Sequence, residues 1–340
     1  MKHRSVSMAV VAVVIVVVII VAAVGIYYAT RPSSPSSSGA ALPDTTSFSF
    51  GVVSDDHPDL FGFAYMRMNN YTSSYVPNMK IEQFPGGSGD VLKALVSGSI
   101  QMGIAATDSA IPALVSGAPI TIVAAYRSPN DRAYYVAANS SYTALSQLYG
   151  KTFADSKPGS LDEVTNHLLA SDMGWTFASA IHETFVGSFQ AQVASVLTGT
   201  AATSNGNPFD VYPLVAQGKL RVIGYINETW PGFVVLASTT FLKSSPNAVK
   251  ATLEMLWKAD AAFNANTNSA TVNFLINREN FTQAEANLFM SLISYSTNGE
   301  IVTSQLQNAI NVLYTANAIT GNKTTITPGS LYTPGYAPVG

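Results

Sequence analysis

The feature that most constrains this chain is an alternation of short apolar runs with amphipathic helical segments that each end at a glycine. From Phe48 onward, the strand-length runs are FSFGVV, MKIEQF, IQMGIA and PITIVAAY. The pentapeptide ALVSG occurs twice, at Ala94–Gly98 and Ala113–Gly117, and both times it closes a predicted helix. Glycine suits this position because it adopts the left-handed conformation without steric cost. Alternating strands and helices with short links predict an α/β fold with largely parallel strands and right-handed crossovers.

The same pattern continues through a second block and then gives way to helices. Residues 128–224 contain further strand-like runs. The helix endings ASVLTG and PLVAQG also end in a glycine, although their other residues differ from ALVSG. We therefore interpret the repeated ALVSG as a local helix ending rather than as a duplicated unit. Helical periodicity dominates from there to about Thr320, and the Thr/Pro/Gly-rich residues 321–340 are expected to form a flexible C-terminal tail.

The composition of the chain excludes several classes of function. Only 11% of the residues are charged, the net charge is −3, and no cluster of Lys and Arg follows the extreme N-terminus. Because nucleic-acid phosphates are bound by concentrated cations, no nucleic-acid partner is expected. The chain has no cysteine, which removes disulfides, thiolate metal sites, cysteine nucleophiles and the acylated cysteine that tethers a bacterial lipoprotein.

An uncharged apolar segment near the N-terminus offers another way to attach to a membrane. The segment Met8–Ala29 would form a helix of about 33 Å, which is enough to cross a bilayer. Lys2 and Arg4 precede it and predict that residues 1–7 are cytoplasmic and that the rest of the chain is extracellular. We favour a retained single-pass transmembrane helix in the cell membrane, because the apolar region of a cleaved signal peptide is usually about 7–15 residues long. A cleaved signal peptide is the alternative.

The residues that follow this segment are typical of an exposed linker. Residues 30–46 are so rich in Ser, Pro and Gly that they cannot form a core. Asn-x-Ser/Thr sequences occur beyond the linker, and on an exported chain these are acceptors for N-linked glycans. The sequence therefore predicts a glycoprotein. The predicted glycosylation sites are Asn70, Asn139, Asn227, Asn280 and Asn322.

Three segments occur in an order and spacing typical of one protein family. Gly86–Tyr126 is a succession of helix, glycine, small strand, polar loop, helix and second strand. Leu145–Trp175 contains LSQLYGKTF and PGSLDEV, and Val193–Phe209 ends in SNGNPF. Together, within about Phe48–Asn298, they resemble the extracytoplasmic solute-binding proteins of ABC importers. The most similar group is the NMT1-like one, which binds sulfonates, taurine, nitrate or precursors of the thiamine pyrimidine.

This resemblance implies a two-lobed periplasmic-binding-protein type 2 fold with hinge strands and a ligand cleft over which the lobes close. Crossings near Tyr126 and Gly224–Tyr225 would divide the chain into lobe I, residues 47–126 plus 226–320, and lobe II, residues 127–225. The resemblance also implies a monomer that captures a small organic solute and delivers it to a membrane permease and its ATPase. The alternatives are a ligand-sensing or adhesion ectodomain with the same fold, and an enzyme like the pyrimidine synthase related to this family.

Candidate ligand-binding residues lie where predicted strands end and helices begin. In open α/β sheets, ligands bind beyond the carboxyl ends of the strands, where helix N-termini supply unpaired N–H groups. The predicted ligand-binding residues are Ser54, Asp55, His57, Phe84, Gly86, Gly87, Ser88, Thr107, Asp108, Ser109, Arg127, Ser160 and Asn207. Helix capping alone is an alternative role for Ser88, Thr107, Asp108 and Ser160.

The stretch SDDHPD after the first strand bears on the kind of solute that is bound. If Asp55, Asp56 and Asp59 face the cleft, they make one wall acidic, which disfavours sulfonate or nitrate and favours a cationic or hydrogen-bonding heterocycle. The alternative is that they are solvated loop charges. His57 beside carboxylates also suggests a metal site, but no second cluster of His and Asp accompanies it. No metal and no other cofactor is therefore predicted.

Enzymatic chemistry has little support in the sequence. None of the four histidines lies in the context of a serine or cysteine hydrolase. The pyrimidine synthase that shares the family's fold depends on cysteine, which this chain lacks. No catalytic residue is therefore predicted, and the expected activity is binding without turnover.

Overall fold

The computed structural model describes residues 43–54, 57–129, 131–265, 269–320 and 326–340. The predicted transmembrane helix, most of the predicted linker, Asp55 and Asn322 lie outside these residues. None of the helices that the structure describes is both long enough and apolar enough to span a membrane.

The first lobe, lobe I, is built on a sheet of apolar strands that alternate with helices. The strand that ends at the first crossing between the lobes is buried along its whole length, as expected of a strand covered on both faces. The elements up to this crossing are β1 (Phe48–Val52), α1 (Phe61–Met68), α2 (Thr72–Tyr75), β2 (Met79–Gln83), α3 (Ser88–Ser97), β3 (Met102–Ala106), α4 (Thr107–Val115) and β4 (Ile120–Arg127).

The second lobe, lobe II, repeats this alternation, after which the chain returns to the first sheet through one more strand, β10 (Phe233–Ser238). Short links again connect each strand to the helix that follows it. The elements of lobe II are β5 (Asp131–Ala137), β6 (Lys151–Asp155), α5 (Leu161–Asp172), α6 (Phe177–Ala180), β7 (Ile181–Phe185), α7 (Phe189–Thr198), β8 (Thr203–Gly206), α8 (Pro208–Ala216) and β9 (Leu220–Asn227).

The two sheets have the same layout. The strand order is β2-β1-β3-β10-β4 in lobe I and β7-β6-β8-β5-β9 in lobe II. In each sheet the fourth strand in this order is antiparallel to both of its neighbours, and the others run in one direction. This antiparallel strand is always the one that has just crossed from the other lobe. The predicted two-lobed α/β fold with largely parallel strands is therefore confirmed, and the crossing strands are its exceptions.

The chain crosses between the lobes a few residues later than the sequence predicted. The first crossing lies between β4 and β5, and the second lies between β9 and β10. The positions near which the crossings were expected, Tyr126 and Gly224–Tyr225, lie inside the last residues of β4 and β9. Apolar periodicity reports that a residue is in a strand, and it carries no information about which sheet the strand joins.

The glycines that end the helices have the conformation that the sequence predicted. The two copies of ALVSG close with Gly98 at φ 78° and Gly117 at φ 84°. Gly199 and Gly218, at φ 76° and 68°, follow helices whose last residues differ from ALVS. Because α3 begins beside the interlobe pocket described below and Gly98 ends it, this glycine marks the end of the helix that points away from the pocket.

Long helices of the C-terminal part pack onto lobe I through an aromatic cluster. The ring centroids of Phe61 and Phe289 are 5.2 Å apart, and Phe263 lies 6.3 Å from Phe289. Phe209 from α8 of lobe II reaches the same cluster, 4.8 Å from Phe289, so the two lobes are in contact here. The helices are α9 (Thr239–Ser244), α10 (Pro246–Ala265), α11 (Ala270–Glu279), α12 (Gln283–Leu292) and α13 (Thr303–Thr315).

The last residues are held against lobe I rather than free. Tyr332 forms a β-bridge with Ile122 of β4, the edge strand of its sheet, and Val339 forms one with Ile301. The N–H of the residue after Tyr332 donates to the Ile122 carbonyl at 3.0 Å. The expectation of a flexible tail is therefore wrong for residues 326–340. The composition of residues 326–340 could not show that strand β4 has unpaired backbone groups with which these residues form hydrogen bonds.

Candidate functional site

A pocket of about 260 Å³ lies between the lobes, beyond the carboxyl ends of the parallel strands of both sheets. It is smaller than the roughly 300–1,000 Å³ pockets that hold drug-sized ligands, so it suits a small molecule. Lobe I lines it with Val53, His57, Asp59, Gly87, Ser88, Ala106, Asp108 and Phe233. Lobe II lines it with Asp131, Arg132, Leu161, Asn207 and Asp210.

The start of α3 forms one part of the lobe I wall. Gly87 has φ 96°, a conformation that glycine adopts most readily, and it lets the chain turn into the helix. Ser88 is the first residue of α3, and its Oγ accepts a hydrogen bond from the N–H of Ala106 at 3.0 Å. The alternative role of Ser88 as a helix cap is wrong, because its side chain instead ties the start of α3 to the end of β3.

Asp108 is the second residue of α4 and is a half-buried carboxylate of the lobe I wall. It follows β3 directly, so the strand-to-helix turn delivers it to the pocket. Burial raises the pKa of Asp108 to about 6, although backbone N–H groups of Asp108 and Ser109 act in the opposite direction. Arg132 across the pocket also lowers this pKa, but by less than burial raises it. Near neutral pH the group is therefore mostly ionised, and a nearby cation would favour the ionised form further.

The start of α8 forms the matching part of the lobe II wall. Asn207 caps this helix, because its Oδ1 accepts a hydrogen bond from the N–H of Phe209 at 3.1 Å. Asp210 is the third residue of α8 and faces the pocket. Burial raises its pKa, and burial also raises the pKa of Asp131 at the first crossing. Both lobes thus present carboxylates whose charge is only partly compensated.

Behind the pocket, Arg132 enters a buried group of hydrogen-bonded side chains that we call the lobe II polar network. Its guanidinium pairs with Asp162, and its Nε donates to Asn205 Oδ1 at 3.0 Å. Asp162 Oδ2 accepts further hydrogen bonds from Ser156 Oγ at 2.6 Å and Gln192 Nε2 at 2.7 Å. The network also includes Tyr134, Asp155, Asn166 and Glu183.

Two carboxyl groups of this network, the buried Asp155 and the half-buried Glu183, share one amide partner. Asn166 Nδ2 lies 3.0 Å from Asp155 Oδ1 and 3.3 Å from Glu183 Oε1. Burial, and then the nearby Glu183, raises the pKa of Asp155 to about 8. Asp155 therefore keeps its proton near neutral pH and donates a hydrogen bond to Glu183.

Arg127 was predicted to touch the ligand, but the structure places it in a buried ion pair outside the pocket lining. Its Nε lies 2.9 Å from Asp59 Oδ1, and both side chains are almost fully buried. Asp59 also meets His57, whose Nδ1 accepts a hydrogen bond from the Asp59 N–H at 3.3 Å. Arg127 consequently compensates Asp59, and Asp59 does not add an uncompensated charge to the pocket.

The other predicted ligand-binding residues divide into two groups. His57, Gly87, Ser88, Asp108 and Asn207 line the pocket together. The remaining described ones are not among its lining residues: Ser54, Phe84, Gly86, Thr107, Ser109, Arg127 and Ser160.

Thr107 and Ser160, two residues of the second group, were also considered as helix caps. Thr107 is buried, and its Oγ1 donates to the Pro231 carbonyl next to the second crossing. Ser160 sits at the N-cap of α5 without a side-chain cap bond, and its buried Oγ has no partner among the described residues. Neither side chain caps its helix, so the capping alternative is wrong for both.

Several pocket residues were missed by sequence reasoning. They include Asp131, Arg132 and Asp210, all from lobe II. The sequence does contain a signal that could have led to Asp210, since this acidic residue directly follows the motif SNGNPF and lies in the first turn of a helix. Asp131 and Arg132 had none, because they reach the pocket only through the exact place at which the chain crosses between the sheets.

A larger groove, of about 520 Å³, lies at the opposite end of the second sheet. Strand β5 runs from the interlobe pocket at Asp131 to this groove at Ala137. The groove is formed by lobe II alone, so closure of the lobes cannot enclose a ligand there. Within the residues that the structure describes, no group of three or more His, Asp or Glu is arranged to hold a metal ion.

Comparison with known proteins gives one family match. A family model described as "ABC transporter, phosphonate, periplasmic substrate-binding protein" matches residues 50–285, which include both lobes and all residues of the pocket lining. No curated protein sequence matches the chain.

Solved structures share the fold at low sequence identity. A conserved Candida albicans gene product with the generic periplasmic binding protein fold has a TM-score of 0.70 at 15% identity, over 86% of this chain and 97% of that one. The alkanesulfonate-binding protein SsuA of Xanthomonas axonopodis pv. citri, bound to MOPS, has a TM-score of 0.63 at 18% identity, over 83% and 96%. The aliphatic sulphonate binding protein SsuA of Escherichia coli has a TM-score of 0.64 at 16% identity, over 86% and 92%.

Proposed function

The chain belongs to the family of periplasmic substrate-binding proteins of ABC phosphonate transporters, and from this premise we propose that it captures its solute in the interlobe pocket. As a member of this family it is the substrate-binding component of an ABC import system. The observation that carries the proposal is the position of the pocket, which takes wall residues from both lobes at the carboxyl ends of their strands. Closure of the lobes would bury a solute there and would present a changed surface to the permease and its ATPase.

We further infer that the domain is tethered to the outer face of the cell membrane by Met8–Ala29, with residues 30–46 as its linker. The support is the uncharged length of this segment, the preceding Lys2 and Arg4, and the lack of a cysteine for lipid attachment. Fractionation of cells tests this: the tethered protein stays with membranes after a carbonate wash, whereas a protein with a cleaved signal peptide is released.

Glycosylation of the chain stays a proposal that the burial pattern supports. The side chains of Asn70, Asn139, Asn227 and Asn280 are all exposed, so a glycan on each would be accommodated without unfolding. Intact mass before and after enzymatic deglycosylation decides the question, and an unchanged mass would contradict it.

The location of the solute site can be tested by filling the pocket. Leu161 begins α5 in the pocket wall, and a Leu161→Trp substitution would occupy space that the solute needs. We expect thermal unfolding with a library of small solutes to reveal a stabilising compound for the wild type, since a ligand at 100 times its Kd adds about 2.7 kcal/mol to the free energy of unfolding. We expect this stabilisation to be lost in Leu161→Trp and the bound solute to be recovered chemically unchanged.

A matched substitution controls for the added bulk. Leu197 is an exposed residue of the larger groove in lobe II, so Leu197→Trp adds the same side chain away from the interlobe pocket. The control is expected to bind like the wild type. Loss of binding in Leu197→Trp but not in Leu161→Trp would show that the solute binds in the groove. Turnover of the solute would show that the protein is an enzyme and would contradict the proposed function.

A further inference from the structure

Three carboxylates of the interlobe pocket have no cationic partner among the described residues. Asp108, Asp131 and Asp210 form no ion pair, whereas the guanidinium groups of Arg127 and Arg132 are each already bound to another carboxylate. The upward shift that burial gives to the pKa of all three carboxyl groups is consistent with this lack of partners. The pocket therefore has an excess of negative charge when its carboxyl groups are ionised.

Of the helices that begin at the pocket, α4 and α8 do not reverse this charge. A helix N-terminus attracts anions, because its first N–H groups are unpaired and its dipole is positive there. In α4 the second residue is Asp108, and in α8 the third residue is Asp210, so each helix supplies its own anion in its first turn. An oxyanion solute would find these N-termini already occupied and would stand beside uncompensated carboxylates.

A first-turn carboxylate is common in helices, and this chain contains an ordinary example for comparison. Asp90 is the third residue of α3, which also begins at the pocket, but its Oδ1 forms an ion pair with Lys93 Nζ at 2.9 Å. It does not line the pocket. Asp108 and Asp210 differ from it in lining the pocket and in having no ion-pair partner among the described residues, which a role in helix stability alone does not require.

We propose that the solute is a small organic cation, whose ammonium or guanidinium group binds among Asp108, Asp131 and Asp210 in the interlobe pocket. This inference rests on the function proposed above. A cation would balance the charge of the pocket and would form charge-assisted hydrogen bonds with its carboxylates. The aromatic side chain of Phe233 in the same wall adds a favourable contact for a cation. A phosphonate or sulfonate would instead add charge of the sign that is already in excess.

Thermal unfolding with probes of opposite charge tests the inference on the wild-type protein. The cations are choline, putrescine and agmatine, and the anions are methylphosphonate, ethanesulfonate and nitrate, all at millimolar concentration and constant ionic strength. We expect at least one cation to raise the melting temperature and no anion to do so. Stabilisation by an anion with no response to any cation overturns the cation inference and leaves the proposed function intact. Stabilisation by neither class counts against the pocket itself and thus against the proposed function.

Removing the charges without changing the shape tests which residues bind the cation. In the double variant Asp108→Asn, Asp210→Asn, we expect the affinity for the stabilising cation to fall by about tenfold to a hundredfold, as for loss of charge-assisted hydrogen bonds. The same variant is expected to gain stabilisation by methylphosphonate, because the N-termini of α4 and α8 lose their own anions. Asp90→Asn is the matched control and should keep the wild-type affinity. An unchanged affinity in the double variant overturns the inference, and so does an equal loss in Asp90→Asn.

The sign of the pH dependence gives an independent readout. The charged groups that act on Asp108 are Arg132 and Asp162, and those that act on Asp210 are Arg132, His57 and Asp59. Because the pKa of Asp108 is about 6, cation affinity should rise as the pH is raised from about 5 to about 7. The double variant should lose this rise. A wild-type affinity that falls over the same range would indicate an anionic solute and would overturn the inference.

Discussion

The interlobe pocket and the lobe II polar network both contain carboxylates, but of the described carboxylates that line the pocket only Asp59 is paired with an arginine. In the network, Asp162 pairs with Arg132 and accepts hydrogen bonds from Ser156 and Gln192. In the pocket, Asp108 and Asp210 have no ion-pair partner among the described residues. Burial of a charge is costly unless it is paired, so natural structures leave such groups unpaired mainly where a ligand completes them.

This difference separates structural carboxylates from functional ones in one small region. Arg132 belongs to both the pocket and the network, because it lines the pocket and its guanidinium pairs with Asp162. The network thereby fixes Arg132, the one guanidinium that the described residues contribute to the pocket lining, on its lobe II side, where it cannot turn freely towards an anionic solute. The comparison predicts that mutations in the network reduce stability and that mutations in the pocket reduce affinity.

The largest effect is expected from breaking the network. Asp162→Ala leaves Arg132 buried without its carboxylate and removes the acceptor of Ser156 and Gln192, so the free energy of unfolding should fall by about 3–5 kcal/mol. Denaturant unfolding measures this. Asp90→Ala, which removes an exposed partner of Lys93, should change the free energy by no more than about 1 kcal/mol. Equal losses in the two variants would mean that the network contributes no more than a surface ion pair.

A smaller effect on stability is expected from the pair of carboxyl groups formed by Asp155 and Glu183 in the network. The pKa of Asp155 in the folded protein, about 8, is far above that of an unfolded chain, so the folded state binds more protons between about pH 4 and pH 8. Stability is therefore expected to fall as the pH rises through this window, and the melting temperature should fall by several degrees.

Asp155→Asn isolates this contribution. An amide reproduces the protonated carboxyl, since its nitrogen can donate to Glu183 while its oxygen accepts from Asn166. We expect the variant to match the wild type near pH 4 and to exceed it near pH 8, as measured by calorimetry at both values. A variant that is less stable than the wild type at both pH values would show that Asp155 is bound as a carboxylate.

The smallest stability effect, with the opposite sign to that of Asp162→Ala, is expected in the pocket. The pKa of Asp108 is raised to about 6, so its ionisation costs stability as the pH rises from about 4 to about 6, and this cost is fully present at pH 8. Asp108→Asn should raise the free energy of unfolding by about 1–3 kcal/mol at pH 8, since a shift of about two pKa units corresponds to at most about 3 kcal/mol, and leave it unchanged near pH 3. Destabilisation at pH 8 would place Asp108 with the structural carboxylates.

Much of the scaffold could be predicted from local patterns. The alternation of strands and helices and the glycines at helix ends depend on neighbouring residues, and these features are confirmed. Loops at the carboxyl ends of strands also led to Gly87, Asp108 and Asn207, because strand-to-helix turns place such residues at one edge of a sheet.

What the sequence could not reveal depends on partners that are distant in the chain. Arg127 was assigned to the ligand because it is a cation near a crossing, but Asp59 from another segment neutralises it. The role of Arg132 depends on Asp162 in α5, and the held position of residues 326–340 depends on the free edge of β4. Each of these outcomes is decided by tertiary pairing of charges or backbone groups, which no local pattern encodes.

Native mass spectrometry of the purified protein and its Leu161→Trp variant tests the central claim most directly, because it reports both the identity and the site of a solute that the protein has captured. The account predicts a bound small molecule that is an organic cation at neutral pH, present on the wild type and absent from Leu161→Trp. A bound phosphonate, sulfonate or nitrate that is retained by Leu161→Trp would contradict both the chemistry and the location of the site.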